Sequence, residues 1–385
     1  MHVASNFEAS SPAGDARAGG AGLRARSVRA RGVNVPLPKP LETARGTLRT
    51  APAVLIDVFT DEGITGRAYV SVYTQLVLGP LTRLIHDLAE LLQSTEADPA
   101  LAGVRLDREF ALLGRTGLVG IALAAIDMAL WDVQAKAAGQ PLAVLLGGPL
   151  APVSAYASLS SMSPLAAGIE AQDAVDLGFT AVKVKLGRGG LADDLELVRA
   201  VREAIGADAE LMVDYNQALP VDEAIRRGRR LDAEGLAWIE EPTRSDDFAG
   251  HARIAAELRT PIQLGENWWG VSDLENGIAA RSSSHVMFDA MRIGGVSGWR
   301  RAAERAQAAG LQVSSHGFPE ISAHLLAATP AAHRLEFADK FGPILTQPIK
   351  VADGHVLVSD RPGCGQEWDE QALRRLTDWR RYRSA

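Results

Sequence analysis

Hydrophobic and polar positions change their period once along the chain. From about residue 27, apolar and polar residues alternate in RARGVNVPL and again in APAVLIDVFTDEGITGRAYV, where DEG supplies a turn. A period of two marks half-buried strands, so these segments predict an antiparallel sheet. Between about 75 and 147 the spacing becomes helical, and GLVGIALAAIDMALWDVQAKAAG carries an apolar stripe that Gly139 ends. Residues 27–150 are therefore expected to form an α+β module.

From Pro152 short apolar runs alternate with amphipathic stretches. The strand candidates are VSAYAS, AVKVKL, LMVDYN, AWIEEP, IQLGEN, HVMFDA, LQVSSH and HRLEF. Eight such alternations predict an α/β fold of the (β/α)-barrel type over residues 151–345. An open doubly wound sheet would carry a glycine-rich first βα turn, and no G-x-G-x-x-G follows a strand. The strand-like IKVADGHVLV has no place in the eight, so residues 346–385 are expected to return to the N-terminal module.

Composition narrows the function. The 385 residues are 47% hydrophobic and 23% charged with a net charge of −7, which suits a globular protein and gives no support to a nucleic-acid surface. The one cysteine, Cys364, cannot make an internal disulfide, and no stretch reads as a membrane span, so a cytoplasmic protein acting on small molecules is expected. Residues 1–26, rich in Ala, Gly and Ser, read as a mobile tail without the apolar core of a secretory signal. The basic C-terminal WRRYRSA reads as a solvated charge run.

Barrel active sites lie at the C-terminal ends of the strands. Here nearly every predicted strand ends in a polar or ionisable residue: Lys183 and Lys185, Asp214 and Asn216, Glu240, Glu266, Asp289, His316 and Glu336. Any one of them has a plain structural reading as a cap, turn or core residue. Together they would crowd charge into one cavity, which is costly unless it binds a metal or does chemistry. Asp214, Glu240 and Glu266 offer three hard oxygen ligands from adjacent strands, which suits Mg²⁺. The alternative is a structural network with Lys or Arg. Asn216, on the same face as Asp214, is a further candidate for the metal or the substrate.

Lys183 and Lys185 alternate onto one face of their strand, while Val182, Val184 and Leu186 take the other. An ammonium pressed against another cation is disfavoured, so Lys183 is expected to lower the pKa of Lys185 and make it a usable base. His316, oriented by Asp289 on the preceding strand, is expected to be a second base.

With these residues in place the chain resembles the enolase superfamily, and within it the mandelate racemase group. The resemblance runs from about residue 30 to about 365 through VNVPL, AIDMALWD, AVKVKLG, MVDYNQ, WIEEPT, GENWWG, DAMRIGGVSGW and SSHGFPEISAHLLAATP. It implies a modified (β/α)₇β barrel closed by a capping domain. It also implies Mg²⁺ on Asp214, Glu240 and Glu266, Lys185 as base toward an S-configured carbon, and the His316/Asp289 dyad toward the R-configured one. By the same resemblance Glu336 is a protonated acid hydrogen-bonding the enediolate, and Lys183 and Ser158 contact the substrate carboxylate.

Departures from the group fall where specificity should lie. In LETARGTL, Leu41 and Leu48 are apolar, but Arg45 stands where the mandelate racemase pattern is apolar; Ser71, Gly317 and Ala338 are small, and Tyr73 is kept. An inward Arg45 would ask for a substrate with a polar or acidic far end and make mandelate a poor one; an outward Arg45 would reach solvent. The leading expectation is racemisation or epimerisation of a small 2-hydroxycarboxylate by a homo-oligomer. Dehydration of an acid sugar by the same groups is the rival, and a catalytically silent binding barrel a more distant one.

Overall fold

The computed structural model describes residues 22–376. Most of the expected N-terminal tail and the WRRYRSA run lie outside the described residues. Residues 22–26 are not tail: Arg24 bridges to Glu96, and Ala25 opens the first strand.

The period-two segments form β1 (Ala25–Thr43), β2 (Gly46–Thr60) and β3 (Thr65–Ser71), an antiparallel sheet in the order β1-β2-β3. Against it pack α1 (Leu78–Leu92) and α3 (Gly117–Ala137), and α2 (Pro99–Glu109) and the short α4 (Leu142–Leu145) pack on α3. Asp98 caps α2 by accepting from Leu101 N at 2.8 Å, with Pro99 in the first turn. α3 lies so close to β3 that a Cβ on Gly66 would sit 2.1 Å from Ala129 O, so only glycine fits there. By length and composition α3 could cross a membrane, which the expectation of no membrane span did not allow for, but 67% of its apolar window is buried in the protein. It is the core helix of the cap.

Strands and helices then alternate: β4 (Val153–Ser158), α5 (Pro164–Asp176), β5 (Ala181–Lys185), α6 (Leu191–Ile205), β6 (Glu210–Asp214) and α7 (Val221–Leu231). They continue as β7 (Ile239–Glu240), α8 (Phe248–Glu257), β8 (Ile262–Leu264), α9 (Gly270–Ala280), β9 (His285–Asp289), α10 (Gly295–Ala308), β10 (Gln312–His316), α11 (Pro319–Ala327) and β11 (Ala332–Phe337). All eight strands from β4 to β11 are parallel, and β11 pairs back onto β4, closing the barrel. Seven helices between eight strands give the modified (β/α)₇β form.

IKVADGHVLV itself stays with the barrel instead of returning to the cap. Its hairpin, β12 (Lys350–Ala352) and β13 (His355–Leu357), adds antiparallel to the start of β4. Residues beyond the hairpin do reach the cap. Cys364 N donates to Asp132 Oδ1 at 2.7 Å, Trp368 Nε1 donates to Asp57 Oδ1 at 2.8 Å, and Glu370, at the head of α12 (Glu370–Leu376), pairs with Arg31 at 2.8 Å.

Candidate active site

Strand register places the chemistry. Lys185 pairs with Asp214, Asp214 with Glu240, and His316 with Asp289, so these side chains enter one space at the C-terminal rim of the barrel. Glu266 follows β8 by two residues. Between them Gly265 adopts φ +126°, where a Cβ would meet Met287 O at 2.4 Å, and this turn brings Glu266 to the other carboxylates. Asn216, Gln217, Glu241 and Phe318 all have positive φ just beyond strand ends. Such backbone costs on the order of 1–3 kcal/mol per residue and gathers at functional sites.

One cavity of about 830 Å³ covers this rim. Lys185, Asp214, Asn216, Glu266, His316, Glu336 and Ser158 line it from the barrel; Tyr73, Leu37, Leu41, Arg45 and Leu48 line it from the cap. Every predicted site residue is thus at the cavity wall or directly beneath it. Lys183, Glu240 and Asp289 are the ones beneath, each 0–1% exposed.

One oxygen from each of Asp214, Glu240 and Glu266 lies within 4.8 Å of the others, in a buried group. Burial pushes Glu240 up to about 8 despite Lys183, whose Nζ is 2.6 Å from it, and raises Asp214 as well although Lys185 Nζ stands 3.6 Å away. Burial would raise Glu266 too, but His316, Lys183 and Lys185 outweigh it, so Asp214 and Glu240 are the members short of positive charge. A hard dication fits the group and would favour the ionised carboxylates.

Lys183 sits deeper than Lys185, which lines the cavity. Burial would lower its pKa, but Glu240 and Glu336, at 2.6 and 3.0 Å, hold it well above the ordinary lysine value. Its charge is answered by two carboxylates, so it is not a bare cation pressing on Lys185. It lies below the cavity floor, ion-paired to Glu240 and Glu336. For Glu336, which the resemblance makes a protonated acid, two influences oppose each other. Burial favours that form, yet Lys183, His316 and Lys185 hold its carboxyl well below the usual range. Its Oε2 further accepts from Gly317 N at 3.2 Å.

His316 Nδ1 is 2.7 Å from Asp289 Oδ2, and its Nε2 is 3.4 Å from Glu266 and 3.7 Å from Glu336. Burial works against the imidazolium, but Glu266 and the Asp289 hydrogen bond outweigh it and push the pKa up to about 9. Asn216 Nδ2 donates to Asp214 Oδ2 at 2.8 Å and so orients that carboxylate.

Arg45 lies at the mouth of the cavity, exposed yet on its wall. Its Nε donates to Asn216 O at 3.3 Å and its Nη2 to Gln217 O, so the guanidinium ties the cap loop to the end of β6. Ala338 lines the cavity, whereas Ser71 lies within hydrogen-bond reach of Pro52 O at 3.4 Å.

Sequence reading missed two cations at the wall. Arg292 lies over the rings of Tyr73 and Trp269, at 5.8 and 5.1 Å. Its position in DAMRIGGVSGW, just past Asp289, was the available signal. Lys340 lies beyond β11 in an irregular loop, and no periodicity marks it. Asn267 Nδ2, which donates to Glu241 at 2.6 Å and to Glu266 at 3.0 Å, was also missed.

Ionisable groups at the strand ends of a capped barrel, gathered around a three-carboxylate metal site, define a class of metal-assisted enzymes that work on acidic small molecules. Residues 25–147 match the mandelate racemase / muconate lactonizing enzyme N-terminal domain, and residues 166–372 match the enolase C-terminal domain-like family. The chain belongs to the mandelate racemase / muconate lactonizing enzyme group of the enolase superfamily. It is 37% identical to the L-talarate/galactarate dehydratase of Salmonella typhimurium over 69% of this chain and 67% of that protein. It is 34% identical to the 3,6-anhydro-alpha-L-galactonate cycloisomerase of Streptomyces coelicolor over 89% of this chain and 96% of that protein. Among solved structures, a Bradyrhizobium enolase complexed with magnesium and mandelic acid superposes with a TM-score of 0.89 at 41% identity, covering 92% of this chain and 98% of that one.

Proposed function

We propose that this enzyme abstracts the proton α to the carboxylate of a 2-hydroxy acid and returns a proton to either face, racemising or epimerising that carbon. One observation carries the reading: Lys185 on β5 and His316 on β10 line the same cavity from different sides of the ring, with β11 and β4 between them on one arc and β6 to β9 on the other. Two bases facing one carbon from two directions suit transfer between its faces.

Asp214, Glu240 and Glu266 would hold Mg²⁺, which when bound supplies positive charge to a substrate whose deprotonation adds a second negative charge. Lys185 takes or returns the proton on one face and His316 Nε2 on the other. Asp289 keeps Nδ1 engaged, so that Nε2 is the nitrogen presented to the cavity. Lys183 fixes Glu240 and Glu336 from below. Leu37, Leu41 and Leu48 of the cap keep water from the reacting carbon.

A second reading is supported by the raised pKa of His316. The imidazolium that this favours is able to give its proton to a β-hydroxyl leaving as water once Lys185 has taken the α proton, and the enol so formed tautomerises to a 2-keto-3-deoxy acid. Incubating the Mg²⁺-loaded protein in D₂O with a panel of 2-hydroxy acids and acid sugars separates the outcomes. Racemisation gives α-deuterated substrate of both configurations, and dehydration gives keto acid. If no acid in a broad panel exchanges its α proton, the proposal fails.

A further inference from the structure

Most cations on the cavity wall have partners. Lys39 reaches Glu170 and Asp173 at 3.9 and 4.0 Å, Arg45 is tied to two carbonyls, Lys185 faces Asp214, and Arg292 lies against two aromatic rings. Lys340 differs. It is half-buried, it lines the cavity, and among the described residues it has no hydrogen-bond or ion-pair partner. Its neighbour Asp339 forms no ion pair with it and accepts instead from Gly342 N at 2.7 Å.

Burial is the main influence on the Lys340 charge and disfavours it; Glu336 works the other way, and Lys185 adds to the burial effect. Both groups are engaged elsewhere, Glu336 by Lys183 and the Gly317 N–H, Lys185 by Asp214. A metal on Glu266 would take up another of the carboxylates that favour the Lys340 ammonium. A partly desolvated ammonium left in this state is unfavourable unless an anion arrives with the substrate.

We infer that the substrate is a dianion, a 2-hydroxy dicarboxylic acid whose second carboxylate is bound by Lys340. This rests on the reading of the cavity as a 2-hydroxy-acid site and narrows its substrate class. A single ammonium matches the single charge of a carboxylate, whereas a phosphoryl group would call for several donors. The volume, about 830 Å³, leaves room for a chain extending past the metal-bound end. The apolar cap residues then cover the carbon chain between two charged ends.

The test uses the full-length Mg²⁺-loaded protein and paired ligands: malate, 2-hydroxyglutarate and 2-hydroxyadipate, each against the same acid with its distal carboxylate converted to an amide. Calorimetric Kd values are expected to favour the diacid over its amide by about tenfold at the chain length that fits. That gap should close in Lys340→Met and return in Lys340→Arg, with the affinity for the amides unchanged. Equal affinity of diacid and amide in the unmodified protein at every length, or no binding of any pair, overturns the inference whether or not the variants fold. A gap that persists in Lys340→Met overturns it too. A diacid preference that Lys340 governs, without α-proton exchange from any acid, would leave this inference standing and remove the proton-transfer reading.

Discussion

Asp289 holds His316 by one oxygen and the backbone by the other: Oδ2 lies 2.7 Å from the imidazole Nδ1, while Oδ1 accepts from Met291 N at 2.9 Å and Arg292 N at 3.1 Å. The carboxylate cannot turn without breaking its own loop, so it fixes both the direction of the ring and the nitrogen that faces the cavity. Asp289→Asn keeps the shape but offers an N–H or a neutral oxygen to Nδ1. Proton exchange on the face that His316 serves should fall by roughly 10²–10⁴-fold, with exchange on the Lys185 face largely kept. Enantiomer-resolved exchange rates check this.

His316 must lose its proton to act as a base, and its pKa is pushed up to about 9. On its face kcat/KM should therefore rise with pH toward that value. Metal on Glu266 weakens one of the causes, so the limb is expected at or below about 9 in the loaded enzyme. A pH profile of kcat/KM for each enantiomer separately checks the sign; activity falling with pH on the His316 face would contradict it.

Metal and protons compete for the carboxylate group. Glu240 is raised from 4.5 to about 8, so the metal-free protein should lose stability as pH rises through that interval, where the unfolded chain ionises and the buried carboxyl does not. Mg²⁺ should reverse the trend, because its ligands must be deprotonated. At 100-fold excess over Kd the ion adds about 2.7 kcal/mol, read as a rise in Tm that is larger at pH 8 than at pH 5. In Glu240→Gln that rise should shrink or vanish.

Arg45 bridges the cap loop to the barrel through the carbonyls of Asn216 and Gln217. These contacts suit a part in closing the site, and they set that role against the recognition of a polar substrate end. Arg45→Ala should raise KM several-fold for all substrates alike, with little change in Tm, since the residue is exposed. A change in the preference between apolar and polar acids would return Arg45 to a role in specificity.

Asp57 joins the C-terminal segment to the cap. This buried carboxylate accepts from Arg29 at 3.0 Å, Arg67 at 3.2 Å, Arg31 at 3.3 Å and Trp368 Nε1 at 2.8 Å. Asp57→Ala leaves the partly exposed arginines without their shared partner and the buried Trp368 N–H without an acceptor, and should cost about 1–3 kcal/mol, measured by urea unfolding.

The barrel was legible because each strand carries its own short apolar run, and because the residue that ends the run is the one register brings to the rim: Lys185, Asp214, Glu240, Asp289 and His316 all sit at or next to a strand end. Lys340 was not, since a loop side chain gains its meaning only from the wall it meets. The depth of Lys183 was hidden for a different reason. Alternation puts it on the same face as Lys185 but does not say that the lower position is closed by Glu240 and Glu336. Arg45 was read for its charge, and the carbonyls that bind it lie more than 170 residues away in sequence. Neither charge nor periodicity reports such a contact.

Opposite faces of one carbon, served by Lys185 and His316, are the centre of the proposed chemistry. Enantiomer-resolved α-proton exchange in D₂O, with Lys185→Ala and His316→Asn compared side by side in the Mg²⁺-loaded protein, tests it most directly. Each variant is expected to lose exchange from one enantiomer and keep it from the other, and the two losses should be complementary. Loss of exchange from the same enantiomer in both variants would contradict the two-base mechanism.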